Sequence, residues 1–149
     1  MTPLGLARLQ ADEACRLTVY DDGTGARIVA GSKIVGNPTV GWGRNLASGG
    51  LRQEEADMML ANDLQAIQDA LSADWTWFTP LDPVRQDVLT NMAYNLGVAG
   101  VLGFVAMAVN LGVGAYGMAA DEIMNSEAAR ELPARYQRLA DAMRTGAWS

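Results

Sequence analysis

The sequence contains no histidine and a single cysteine, Cys15, in 149 residues. The first absence excludes Ser-His and Cys-His catalysis and nearly all zinc chemistry; no metal or other cofactor is expected. The second excludes an internal disulfide, which fits a reducing compartment of synthesis. It leaves Cys15 as a small buried hydrophobe. Acid–base work must therefore fall to carboxylates. Basic residues are few: 11 Lys and Arg against 17 Asp and Glu give a net charge of −6. Nucleic acid and anionic membrane are disfavoured as general partners. Residues 88–120 carry no charge. That run is long enough to span a bilayer, but six glycines and Asn91, Asn95 and Asn110 interrupt it. It reads as buried helix, and a membrane span is not expected. Residues 1–11 show no basic segment followed by an apolar run, so no signal peptide is expected.

What is present reads as one globular domain. Half of the chain is hydrophobic and 19% is charged, and the length suffices for a real core. Thr2-Pro3 is a helix start, a hydroxyl N-cap followed by proline. Leu6, Leu9 and Glu13 fall on one side of that helix. Leu17 and Val19 alternate with Arg16 and Thr18, the period of a half-buried strand. Asp21-Asp22-Gly23-Thr24-Gly25 is turn chemistry. The β-branched pairs Ile28-Val29 and Ile34-Val35 predict a hairpin over residues 27–35. Asn37-Pro38 breaks it, and Thr39, Val40 and Trp42 begin another strand. Gly41 and Gly43 there mark a close backbone approach.

Residues 47–50 read as a loop and 51–71 as a helix. Trp75, Trp77 and Phe78 in the next connection read as core. Asp82-Pro83 starts a helix with Val84, Val88, Met92 and Leu96 on one face, and Gly97 stops it. A short turn or helix over 98–103, helices over 104–111 and 115–124, and a last helix from Pro133 to Gly146 complete the chain. The sum is α+β, mostly helical with a small N-terminal sheet. Residues 104–118, from Phe104 to Met118, are more apolar than a solvated helix needs. One side is expected to face the core and the other to form a partner or self-association surface.

Cleaving a glycosidic bond needs a proton donor for the leaving oxygen and a group that manages water or the forming cation. A helix-borne Glu against an apolar wall stays protonated, because burial disfavours its anion. An Asp in a wet glycine turn stays ionised. Glu13 and Asp22 suit these two roles, with Asp21 the alternative by a one-residue shift. The Thr39 hydroxyl, beside a strand with little side-chain bulk, can hold a water.

Glu13, eight residues and Asp22, followed by Pro-Thr39-Val-Gly-Trp-Gly43, resemble the lysozymes of tailed phages, glycoside hydrolase family 24. Leu81 to Arg85 with Asn91-Met92-Ala93-Tyr94-Asn95-Leu96-Gly97 resemble the family's central helix. Arg135 to Arg138 and Arg144-Thr145-Gly146-Ala147-Trp148 resemble its end. The segment between Asp22 and Thr39 is longer than the family's shortest by about one hairpin. Arg44 stands where the family often has histidine, a fixed charge that could lower the pKa of Glu13, orient it or bind a sugar carboxylate.

The resemblance implies a lysozyme-like domain over residues 1–149. Its N-terminal lobe would cover about 12–60, and its C-terminal lobe about 72–149 plus helix 2–12. It implies an endolysin that hydrolyses the β-1,4 bond between N-acetylmuramic acid and N-acetylglucosamine, with peptidoglycan glycan strands as partner. Glu13 would be the general acid, with Asp22 and Thr39 positioning water across a cleft. Tyr94 and Asn95 would line saccharide sites, and Arg135 would sit near Glu13. The family's inverting mechanism requires the two carboxyls to stand roughly 6.5–9.5 Å apart. Synthesis in a host cytoplasm and action in the periplasm or cell wall after release follow, as does antimicrobial action. A lytic transglycosylase using Glu13 alone, or a degenerate non-catalytic wall-binding or assembly module, are the rival readings.

Overall fold

The computed structural model describes residues 1–148. Among them are nine helices and one three-stranded antiparallel sheet, an α+β lysozyme-like architecture. The chain divides into two compact units, Met1–Asp57 and Met58–Ser149.

In the first unit, α1 (Pro3–Asp12) starts as its sequence dictates. Thr2 Oγ1 accepts from the Gly5 N–H at 3.1 Å and Pro3 opens the first turn. The helix closes at Glu13, whose N–H donates to the Leu9 carbonyl at 2.9 Å. Strands β1 (Arg16–Asp21), β2 (Pro38–Gly41) and β3 (Arg44–Asn45) form the sheet in that order. Tyr20 stands opposite Thr39, and Thr39 opposite Asn45. Gly41 and Gly43 adopt φ of 65° and 80°. Gly41 ends β2 and Gly43 follows Trp42 in the two-residue connection to β3, a backbone that a side chain would strain.

Several expectations for this unit fail. The segment between β1 and β2 contributes no paired strands, only one bridge between Tyr20 and Arg27. Val29, Ile34 and Val35 are largely exposed there, so their β-branched side chains gain no packing from extending. Leu17 is 89% exposed rather than half-buried, and Cys15 is exposed rather than buried. Residues 46–49 are not a loop: Asn45 caps a short helix, α2 (Leu46–Gly49), its Oδ1 accepting from the N–H groups of Ala47 and Ser48.

Helix α3 (Gln53–Asp74) begins in the first unit and ends in the second. The second unit adds α4 (Pro83–Leu96), α5 (Val98–Leu102), α6 (Val105–Gly112), α7 (Tyr116–Met124), α8 (Glu127–Glu131) and α9 (Pro133–Thr145). Asp82 caps α4 by accepting from the Arg85 N–H at 3.1 Å, and Gly97 ends it. Val88 and Met92 are buried, while Val84 and Leu96 pack against the core. Phe78, Val101, Met107, Ile123, Leu139 and Met143 complete the centre of that core. Trp75 and Trp77 stack at 4.6 Å between ring centroids and pack on it from the side.

Arg85 ties the ends of α4 and α9 together. Its Nε donates to the Met143 carbonyl at 2.8 Å and its Nη1 to Asp82 at 2.6 Å. The uncharged run is buried only in part, at Val88, Leu89, Met92, Val101, Met107 and Leu111 among others, rather than throughout, and among the described residues no helix is long and apolar enough to cross a membrane. Along α6, Met107 and Leu111 face inward, whereas Val105, Val109 and, just beyond it, Val113 are exposed, as is Met118 on α7.

Candidate active site

Glu13 stands at the C-terminal end of α1. With Leu6, Leu9, Gln10 and Trp42 it lines a hollow of about 230 Å³. Leu6, Leu9 and Trp42, each about half exposed, give the hollow an apolar side, and Glu13 is exposed rather than buried against it. Gly43 opens room beside it: a Cβ there would lie 3.6 Å from Glu13 Oε2.

The adjacent acids Asp21 and Asp22 do different things. Asp21 is 3% exposed. Its Oδ1 accepts from the N–H groups of Gly23 and Gly36, at 2.9 and 2.8 Å, and its Oδ2 from that of Val35 at 2.8 Å. The Val35 amide foremost, with those of Gly36 and Gly23, outweighs burial and holds this carboxyl below its ordinary value. Asp21 thus closes the neck of the segment between β1 and β2. Asp22 is exposed, and both its oxygens meet Asn37: Oδ1 accepts the backbone N–H at 2.6 Å and Oδ2 the side-chain amide at 3.2 Å.

Thr39 is buried in the middle strand, and its hydroxyl donates to the Asn37 carbonyl at 3.2 Å. The approach is tight. A Cβ on Gly36 would fall 2.2 Å from Asp22 Oδ1 and 2.4 Å from the Gly23 nitrogen. Arg44 points elsewhere. Its Nη1 pairs with Glu55 at 2.7 Å and its Nε donates to the Gly50 carbonyl at 2.7 Å. Among the described residues it makes no ion pair with Glu13.

In the second unit, Arg135 grips Asn91. Its Nε and Nη2 reach Asn91 Oδ1 at 3.0 and 2.7 Å, and Nη2 also reaches the Asn91 carbonyl. Buried Tyr136 donates its hydroxyl to Asn95 Oδ1 at 3.0 Å. That bond takes the Asn95 amide oxygen, and Asn95 itself is exposed. Burial raises the Tyr136 hydroxyl above its ordinary value. Tyr94 is half-exposed beside it.

A family model described as phage lysozyme matches residues 10–145. The chain belongs to the phage lysozyme family. Phage lysozymes are glycosidases that hydrolyse peptidoglycan, so the chemistry to be accounted for is that of carboxylates on a glycan. The matched range takes in Glu13, Asp22, Thr39, Arg44, Tyr94, Asn95 and Arg135.

Two residues, one in each unit, carry contacts with no periodic signal in the sequence: Asn37 with Asp22 and Thr39, and Asn91 with Arg135. In the sequence Asn37 reads only as a breaker before Pro38, and Asn91 as an interruption of an apolar run and the start of the stretch that resembles the family's central helix. The available signal for Asn37 was its place between a glycine and a proline, since the residue before proline is driven to extended backbone.

Proposed function

We propose that this phage lysozyme is an N-acetylmuramidase that cuts the β-1,4 bond between N-acetylmuramic acid and N-acetylglucosamine, with inversion and without a cofactor. Glu13 gives its carboxylic proton to the leaving glycosidic oxygen. A water oxygen bonds to the anomeric carbon as the glycosidic bond breaks, and Asp22 takes the water's proton. Thr39 accepts the water's other hydrogen bond. Exchange with solvent then returns the proton to Glu13 and removes it from Asp22.

The observation that carries this reading is the division of labour in the turn. Asp21 is engaged by three loop amides, whereas Asp22 faces solvent and shares Asn37 with Thr39. That favours Asp22 over Asp21 as the water-handling acid. On the second unit, Tyr94, Asn95 and Arg135 contact the saccharide, Asn95 through its amide NH₂. Arg44 supports the site from its pair with Glu55 and offers its remaining N–H groups to sugar. The functional unit is one lysozyme-like domain over residues 1–149, made in a host cytoplasm and acting on the wall after release. The exposed Val105, Val109 and Val113 are proposed to meet a second copy. Chains of net charge −6 can approach there without placing like charges together.

One observation favours a second reading, lytic transglycosylation by Glu13 alone: Thr39 is buried, which leaves its hydroxyl little access to a solvent water. Mass spectrometry of fragments released from purified peptidoglycan separates the two. Reducing muramic ends are expected. Anhydromuramic ends would establish the transglycosylase, and wall binding without fragments a non-catalytic module.

A further inference from the structure

Asn37 makes four bonds to the two groups assigned to water. Its N–H and Nδ2 donate to the two oxygens of Asp22, at 2.6 and 3.2 Å. Its carbonyl accepts from the Asp22 N–H at 3.0 Å and from Thr39 Oγ1 at 3.2 Å. Asp22 and Asn37 therefore clasp each other reciprocally, and Thr39 hangs from the same carbonyl oxygen. Pro38 restricts the Asn37 backbone to the extended region. Gly36 is the only residue that fits between the partners, because any Cβ there would overlap Asp22 and the Gly23 nitrogen.

We infer that Asn37 is a positioning residue of the hydrolytic site, an inference that rests on assigning Asp22 and Thr39 to the attacking water. A carboxylate offers about four lone-pair directions. Asn37 fills two of them and leaves the others in a fixed orientation. A hydroxyl has one proton to give. The Asn37 carbonyl takes it, so Thr39 is left only as an acceptor. A water held by these two groups must donate to both, which turns a lone pair of its own toward the anomeric carbon. Asp21, one residue away, points its oxygens at the Gly23, Val35 and Gly36 amides. Among the described residues no cation pairs with Asp22.

The test is kcat, KM and the pH dependence of kcat on soluble peptidoglycan strands for wild type, Asn37→Ala, Asn37→Asp and Asp22→Ala. Each chain is checked for folding by circular dichroism. Both Asn37 variants keep the backbone bonds, and Asn37→Asp is nearly isosteric. For Asn37→Ala the expected result is a fall in kcat of about tenfold, part of the roughly 100-fold that a 1 Å misplacement can cost, with KM within about twofold. Asn37→Asp sets a like charge against Asp22 Oδ2 and is expected to move the acid limb of kcat upward by about one pH unit. A purely structural role would lower the melting temperature of Asn37→Ala and leave its kcat at the wild-type value. Unchanged kcat and acid limb in both variants, with Asp22→Ala inactive, would overturn the inference and spare the hydrolytic reading. Full activity in Asp22→Ala would remove the reading beneath it, and the inference with it.

Discussion

In the unit Met1–Asp57 the buried residues among those described are Asp21 and Thr39, both polar. In the unit Met58–Ser149 they are leucines, valines, methionines, alanines, Phe78, Ile123 and Tyr136, with Thr90 the one non-aromatic polar member. The first unit is thus closed by hydrogen bonds of fixed direction, and the second by apolar area removed from water. Directional bonds hold a few atoms in place and respond to protonation. Apolar packing gives stability but is indifferent to pH. The groups proposed for chemistry, Glu13, Asp22 and Thr39, all belong to the unit with little core.

This contrast can be broken from either side. The largest effect is expected in the second unit. Leu89 is fully buried, and Leu89→Ala should cost about 2–5 kcal/mol in chemical denaturation, through lost transfer energy and the cavity left behind. Amide exchange at Val35 and Gly36 under native conditions should change little. Next is Asp21→Ala, which takes the acceptor from three amides. It should speed exchange at Gly23, Val35 and Gly36 and reduce wall hydrolysis, with a smaller shift in the melting of the second unit than Leu89→Ala produces.

Acid should imitate that variant. The Asp21 carboxyl is held below its ordinary value of 3.8 in the folded chain, so the unfolded chain binds a proton there more readily. Its contribution is complete above that value and is lost as pH falls through the lower folded value. Protection of Val35 and Gly36 should therefore fade with acid in wild type and show no such step in Asp21→Ala. The smallest effect belongs to Tyr136→Phe. It removes the bond to Asn95 and should cost about 1 kcal/mol, while loosening Asn95 enough to raise KM.

The longer helices of both units were legible because their ends are local chemistry. Thr2-Pro3, Asp82-Pro83, Gly97 and Gly146 act on neighbours within one turn, and each marks a boundary where expected. The short helix α8 escaped notice although Ser126 caps it by accepting from the Ala129 N–H. Its five residues are too few to display a period. The segment between β1 and β2 misled for another reason. Its β-branched residues signal a strand, but its course follows Asp21 catching amides 14 and 15 residues away. Such contacts leave no periodic trace in a sequence. The same holds for Asn37 and for the pair of Arg44 with Glu55, 11 residues apart. Glu13, Asp22 and Thr39 could be nominated from spacing, but the separate tasks of Asp21 and Asp22 depend on which backbone amides come within reach of each.

The most direct test compares wild type with Glu13→Gln on purified peptidoglycan, following newly formed reducing ends, with thermal unfolding recorded on the same samples. The expected result is a loss of hydrolysis of about 100-fold or more, the scale of a missing general acid, with the unfolding transition unchanged. Hydrolysis by Glu13→Gln at the wild-type rate would contradict proton donation from the end of the first helix.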